Sequence, residues 1–167
     1  MVYLYKCAFS NAEMFSDAFP TTDEFGGFVK KVKSSLVDKK ALKFDIGDCD
    51  DVEDADKRVN DIVDGFNYNS CKFTKAQFGA WLKPYLKKIS ERIKDLYPED
   101  EQKVKDFQKA STDLAKFVIG KFDEFEFFLN EENDMDGAVA MSYWEDSEKD
   151  LGATFFFFTD GMIKLKI

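Results

Sequence analysis

Phe127-Phe128-Leu129-Asn130-Glu131-Glu132-Asn133-Asp134-Met135-Asp136-Gly137 admits two readings, and the choice between them decides the fold. Taken as an EF-hand calcium loop, Glu132, Asp134, Asp136 and Gly137 fall at the first, third, fifth and sixth positions, with Val139 at the apolar eighth. The twelfth position is Tyr143, so the bidentate carboxylate that completes calcium's oxygen shell is missing, and Glu145 comes too late to supply it. An EF-hand also needs an amphipathic helix on each side. Residues 125–129 and 139–144 are instead short aromatic or β-branched runs of strand type. The stretch therefore predicts two strands joined by an acidic turn.

Working outward, residues 152–159 and 162–167 are strand material flanking Asp160-Gly161, the strongest short hairpin signal in the chain. Towards the N-terminus, residues 2–9 and 28–46 are apolar runs punctuated by turn chemistry at Asn11, Pro20, Gly26-Gly27 and Gly47, which again suggests strands. Between residues 45 and 64 nine acidic residues face only Lys57 and Arg58. Such a segment buries too little apolar surface to offset its ordering entropy, so at least its first half is expected to be a mobile loop. A return to strand is expected at 66–72.

Two helices interrupt the strands. Phe78, Trp81, Leu82, Tyr85, Leu86, Ile89, Ile93 and Leu96 recur at steps of three and four, and Thr74 with Gln77 forms a capping box. Pro84 inside this pattern predicts a kink or a frayed first turn. Pro98, Glu99, Asp100 and Glu101 open a second helix whose stripe includes Val104, Phe107, Leu114, Phe117 and Val118, with Gly120 near its end. The short link at Tyr97-Pro98 implies an antiparallel hairpin. The whole reads as one α+β domain: residues 1–72 and 123–167 form a sheet core, 45–64 an acidic loop, and 73–122 an inserted helical hairpin.

Composition narrows the function. Nineteen Phe, six Tyr and two Trp make the core aromatic, and the net charge of −9 argues against general nucleic-acid affinity. The charge is uneven, because residues 73–122 carry +4 and the rest −13. There is no histidine, which removes Ser-His triads, histidine general bases and most catalytic zinc sites, and no Walker or dinucleotide fingerprint occurs. Cys7, Cys49 and Cys71 form no CxxC pair and read as reduced and structural. The carboxylate pairs read as solvated acidic turns, and a non-enzymatic protein is expected. A ligand-sized pocket lined by Cys7 or Cys71 would instead favour a redox or small-molecule enzyme. The sequence carries no secretory leader and no membrane span, so a cytoplasmic protein is expected, with leaderless export leaving no mark.

Two surfaces are candidates for binding. Asp48, Asp50 and Asp51 with Asp134 and Asp136 could converge on a weakly bound calcium ion, the one cofactor entertained; no cofactor is required. Lys83, Lys87, Lys88, Arg92 and Lys94 give the first helix a basic face suited to an acidic polymer, such as the acidic tails of tubulin.

The opening MVYLYKCAFSNAEMFSD, the segment FTKAQFGAWLKPYLKKI, the FEFFLNE run with its downstream acidic Gly turn, and the closing FFFFTDG together resemble the translationally controlled tumour protein family, also called fortilin or histamine-releasing factor. The similarity spans nearly the whole chain in the same order. It implies a β-tent fold, similar to small guanine-nucleotide-exchange chaperones, with a helical hairpin inserted. It further implies a cytoplasmic, multi-partner protein associated with microtubules, calcium binding and growth or survival control. By the same resemblance, Glu13 and Glu131 match acidic positions proposed to contact a Ras-family small GTPase, which makes an exchange-factor-like regulator the alternative function. Three departures stand out: Asn130 replaces a family Gly, an arrangement expected to survive because Asn tolerates positive φ; Asp64 replaces an apolar residue; and the first family signature is reduced to Ile46-Gly47.

Overall fold

The computed structural model describes residues 2–38, 58–133, 135, 137–145 and 150–166. In chain order the first strands are β1 (Tyr3–Cys7), β2 (Glu13–Ser16), β3 (Thr21–Glu24), β4 (Val29–Lys33), β5 (Leu36–Asp38) and β6 (Arg58–Asn60). A short helix α1 (Asp61–Gly65) and strand β7 (Asn69–Cys71) lead into α2 (Lys75–Leu96) and α3 (Glu101–Gly120). The chain then returns to strand as β8 (Glu126–Leu129), β9 (Ala140–Tyr143), β10 (Thr154–Phe158) and β11 (Met162–Lys166).

Every residue of β10 is buried, as an aromatic run without alternation demands of a strand covered on both faces. It lies inside a six-stranded antiparallel sheet of order β3-β4-β10-β9-β8-β7. Side chains alternate across a strand. On one face Phe157 stacks on Phe15 of β2 at 4.5 Å, and Phe155 meets Tyr68 at 6.0 Å. On the other face Phe156 meets Phe117 of α3, and Phe158 meets Phe107 of α3 and Tyr85 of α2. One strand thus couples the helical pair to a second sheet of order β11-β1-β2.

The two readings of the opening stretch are resolved by register. Residues of β8 pair antiparallel with β9, Phe127 opposite Met141 and Phe128 opposite Ala140, so the acidic segment joins two strands. The capping box at Thr74 is formed in both directions, and α2 runs from Lys75 to Leu96 with Pro84 inside it. The expected fraying of its first turn does not occur, because that turn is closed by the cap and by buried Phe78. The second helix starts later than expected: Asp100 caps it by accepting from the Lys103 amide at 3.0 Å, leaving Pro98 and Glu99 in the link.

Two expectations fail. Asp160-Gly161 is not a hairpin turn, since β10 pairs with β4 and β9 whereas β11 pairs with β1. The segment is a corner tied to its neighbours: Thr159 donates its amide to Phe28 and its hydroxyl to Gly27, and the Ala8 amide donates to Gly161. Turn propensity read locally could not reveal bonds to residues more than a hundred positions away. Of the acidic 45–64 segment, residues 45–57, including the half expected to be a mobile loop, lie outside the described residues, and residues 58–64 form β6 and most of α1 rather than continuing a loop. Asn60 caps α1 through the Ile62 and Val63 amides, Asp61 accepts from Ser35, and Ile62 is fully buried. One buried isoleucine and a good cap outweigh the charge around them.

Candidate functional site

Three turns meet at one end of the sheets, each using asparagine where the backbone enters the left-handed region: Asn11 at φ 61°, Asn67 at 55° and Asn133 at 59°. Asparagine visits this region more readily than other residues with a Cβ. The β1–β2 turn is closed by the Asn11 amide on the Cys7 carbonyl, and the turn after α1 by the Tyr68 amide on Val63. The turn after β8 is held from two sides. Asn130 accepts the Glu132 amide on its side chain, and Asn69 of β7 donates to the Asn130 and Glu131 carbonyls at 3.2 Å each. The buried Tyr68 hydroxyl donates to the Met14 carbonyl, fastening β2 to the same assembly. Between these turns lies a cleft of about 340 Å³ lined by Glu13, Glu131 and Glu132 together with Asn11, Asn67 and Asn130.

Glu13 and Glu131, far apart in sequence, therefore border one cleft, and both are exposed. Among the described residues no group of three or more acids, cysteines or histidines comes close enough to hold a metal ion. The carboxylates ring a polar hollow of side-chain size, an arrangement suited to a cationic or amide-rich segment. The positive φ expected at Asn130 is not observed; that role falls to Asn133, and Asn130 closes the turn with its side chain instead. The turn at Asn11 was signalled by sequence, whereas Asn67 was not, because a left-handed turn leaves only the weak mark of an isolated Asn.

A second hollow opens beside α2. The Trp81 indole N–H donates to the Gly137 carbonyl at 3.0 Å, and the ring stacks on Tyr85 at 5.0 Å and on Phe73 at 6.3 Å. These rings, with Pro84, Met135 and Cys71, border a cavity of about 430 Å³. Burial pushes the Cys71 thiol up, away from the thiolate needed for chemistry at neutral pH, and no histidine exists to deprotonate it. Cys7 is fully buried and accepts the Phe9 and Ala138 amides on its sulfur. The expected structural role fits Cys7; Cys49 lies outside the described residues.

The basic residues of α2 do not form one patch. At about 100° per residue, Lys83, Lys87 and Lys94 fall within roughly 40° of arc on the outward side, and all three are exposed. Lys88 and Arg92 lie on the flank and are half-buried, with the Lys88 ammonium 5.8 Å from the Phe9 ring centroid. Asp48, Asp50, Asp51, Asp134 and Asp136, the expected calcium ligands, all lie outside the described residues.

A profile of the family described as Translationally controlled tumour protein matches residues 2–163. The chain belongs to this family. A Translationally-controlled tumor protein homolog 1 of Dictyostelium discoideum is 31% identical over 169 residues, covering 95% of this chain and 94% of the relative. The Saccharomyces cerevisiae homolog is 32% identical over 153 residues, covering 86% and 88%. Among solved structures, the Translationally Controlled Tumor-associated Protein p23fyp of Schizosaccharomyces pombe superposes with a TM-score of 0.77 at 25% identity, covering 99% of each chain. The translationally controlled tumour protein of Caenorhabditis elegans, at 21% identity and a TM-score of 0.75, shares the fold. The α+β architecture with a helical pair following β7 is thus that of translationally controlled tumour proteins, a generally non-enzymatic family. No helix among the described residues is long and apolar enough to cross a membrane.

Proposed function

We propose that this member of the family is a non-enzymatic, multi-partner binding protein whose principal docking site is the cleft between Glu13 and Glu131. The observation that carries the reading is that these two residues, which by resemblance match acidic positions proposed to contact a Ras-family small GTPase, line the same hollow. A Ras-family small GTPase would insert a basic or amide-rich segment there, and the exposed carboxylates would fix it by charge-assisted hydrogen bonds. Bias toward the nucleotide-free state would follow if that segment also holds nucleotide in the free GTPase. In a nucleotide-release assay at stoichiometric protein, the wild type should accelerate release and the Glu13→Lys, Glu131→Lys double variant should not. No acceleration by the wild type, or equal acceleration by both, would overturn the reading.

A second contact is favoured by Lys83, Lys87 and Lys94 sharing one exposed helical face. That face would bind the acidic tails of tubulin, with Lys88 and Arg92 contributing little because they are already packed on the flank. Microtubule co-sedimentation should weaken several-fold when the outward three are reversed to Glu, and should fall with added salt. Unchanged pelleting would remove tubulin from this helix. Calcium at Asp48, Asp50, Asp51, Asp134 and Asp136 is retained as a weak accessory property.

A further inference from the structure

We infer that Tyr97, in the link between α2 and α3, is an acceptor site for a tyrosine kinase that reads acidic sequences. The chain has six tyrosines, all of them among the described residues, and their surroundings sort them. Tyr5, Tyr68, Tyr85 and Tyr143 are buried, between 3% and 9% exposed. Tyr3 is half-buried in β1, a strand paired on both sides by β11 and β2. Tyr97 is 44% exposed and lies outside every helix and strand. Its backbone makes two bonds: its amide donates to the Ile93 carbonyl at 2.8 Å, and its carbonyl accepts the Asp100 amide at 3.0 Å. A kinase takes its substrate as an extended segment, and local opening at this link disturbs far less structure than at any other tyrosine.

The flanks supply the recognition. Asp95, Glu99, Asp100 and Glu101 surround Tyr97 in sequence, and all four are exposed. Kinases select substrates by charge pattern, and this one suits a basic substrate groove. In the reaction the phenol oxygen attacks the γ-phosphorus of ATP and the bond from that phosphorus to the β–γ bridging oxygen breaks. ADP leaves, and the phenol proton passes to the catalytic aspartate of the kinase. The structure also provides for the product. The Lys103 ammonium stands 4.1 Å from the Tyr97 ring centroid and 5.9 Å from that of Phe28. A phosphate on Tyr97 brings about two negative charges beside it, so a ring contact gives way to a charge-assisted pair.

The test incubates the full chain with Mg·ATP and the catalytic domain of a tyrosine kinase of acidic preference, and follows every tyrosine peptide by mass spectrometry. Tyr97 should be phosphorylated about tenfold faster than any other tyrosine, and Tyr97→Phe should remove most of the incorporation. Asp95 and Glu99 cap neither helix, so the Asp95→Lys, Glu99→Lys double variant should stay folded and slow Tyr97 labelling about tenfold. Glu99→Lys alone, in the link, should slow it in the same direction. The phosphorylated wild type and Lys103→Gln are then titrated by phosphorus magnetic resonance. The phosphate should ionise at lower pH in the wild type, where the ammonium favours its charged form. Faster labelling of another tyrosine, no labelling of Tyr97, or an unchanged rate in the charge-reversed proteins would overturn the kinase assignment. Identical titration in the two phosphorylated proteins would overturn the part given to Lys103.

Discussion

At its Asn130 and Glu132 end the turn after β8 borders a polar cleft, and at Met135 it borders an aromatic cavity. The two hollows are held open by opposite means. The cleft rests on left-handed asparagines and side chain-to-backbone hydrogen bonds, each local and replaceable, around exposed carboxylates. The cavity rests on rings that also belong to the core: Tyr85 touches Phe158 of the central strand, and Trp81 touches Phe78. Changes at the cleft should therefore alter binding with little loss of stability, whereas changes to the rings around the cavity should reach the whole fold.

The sharper break lies on the cavity side, where Tyr85 carries a buried hydroxyl that finds no hydrogen-bond partner among the described residues. A Cβ added at Gly161 would stand 2.5 Å from that oxygen and 3.2 Å from Ile89 Cδ1. Gly161→Ala should cost about 1–3 kcal/mol by overpacking. Tyr85→Phe should raise stability by about 1 kcal/mol by removing an unpaired polar atom. Together the two changes should be non-additive, because Phe removes the atom the new methyl group meets. Denaturant titration of the four proteins in the cycle measures this, and additivity would show that the corner yields elsewhere. The pH dependence has a definite sign. Burial, with the nearby Cys7 charge adding to it, raises the Tyr85 hydroxyl well above its ordinary value, so the fold favours the neutral phenol. Its contribution is complete below about pH 10 and is lost as pH rises beyond that. Tyr68, raised likewise by burial, acts in the same direction. Tyr85→Phe should shallow the alkaline loss without abolishing it.

The aromatic side of the molecule was legible in the sequence because its signals are periodic. Phe78, Trp81, Tyr85 and Ile89 mark one helical face before any fold is known, and the run containing Phe155 to Phe158 marks a strand, whose burial on both sides the structure adds. The resemblance supplied Glu13 and Glu131, but their shared cleft was not legible, since it depends on three turns brought together by sheet order. The Asp160-Gly161 corner failed for the same reason: a dipeptide reports backbone preference, whereas the partner of each flanking strand is set by long-range pairing. The five basic residues of α2 were read as one face because composition counts charges. Helical phase divides them.

The smallest expected effects lie on the polar side, where two asparagines of the same cleft should answer differently. Asn67 is exposed and left-handed at φ 55°, so Asn67→Gly supplies a residue for which that conformation is free, offset by the entropy Gly adds to the unfolded chain. A net change of only a few tenths of a kcal/mol is expected. Asn130 is buried, lies outside the left-handed region, and uses its side chain to accept the Glu132 amide. Asn130→Gly installs the residue that the family resemblance implies, yet here it removes that acceptor and gains no φ relief, so it should cost about 1 kcal/mol. If thermal melts show Asn130→Gly to be neutral while Asn67→Gly is not, the turn after β8 does not depend on the Asn130 side chain, and the Asn69 bonds from the edge strand together with the Asn133 amide on the Asn130 carbonyl suffice to shape the cleft.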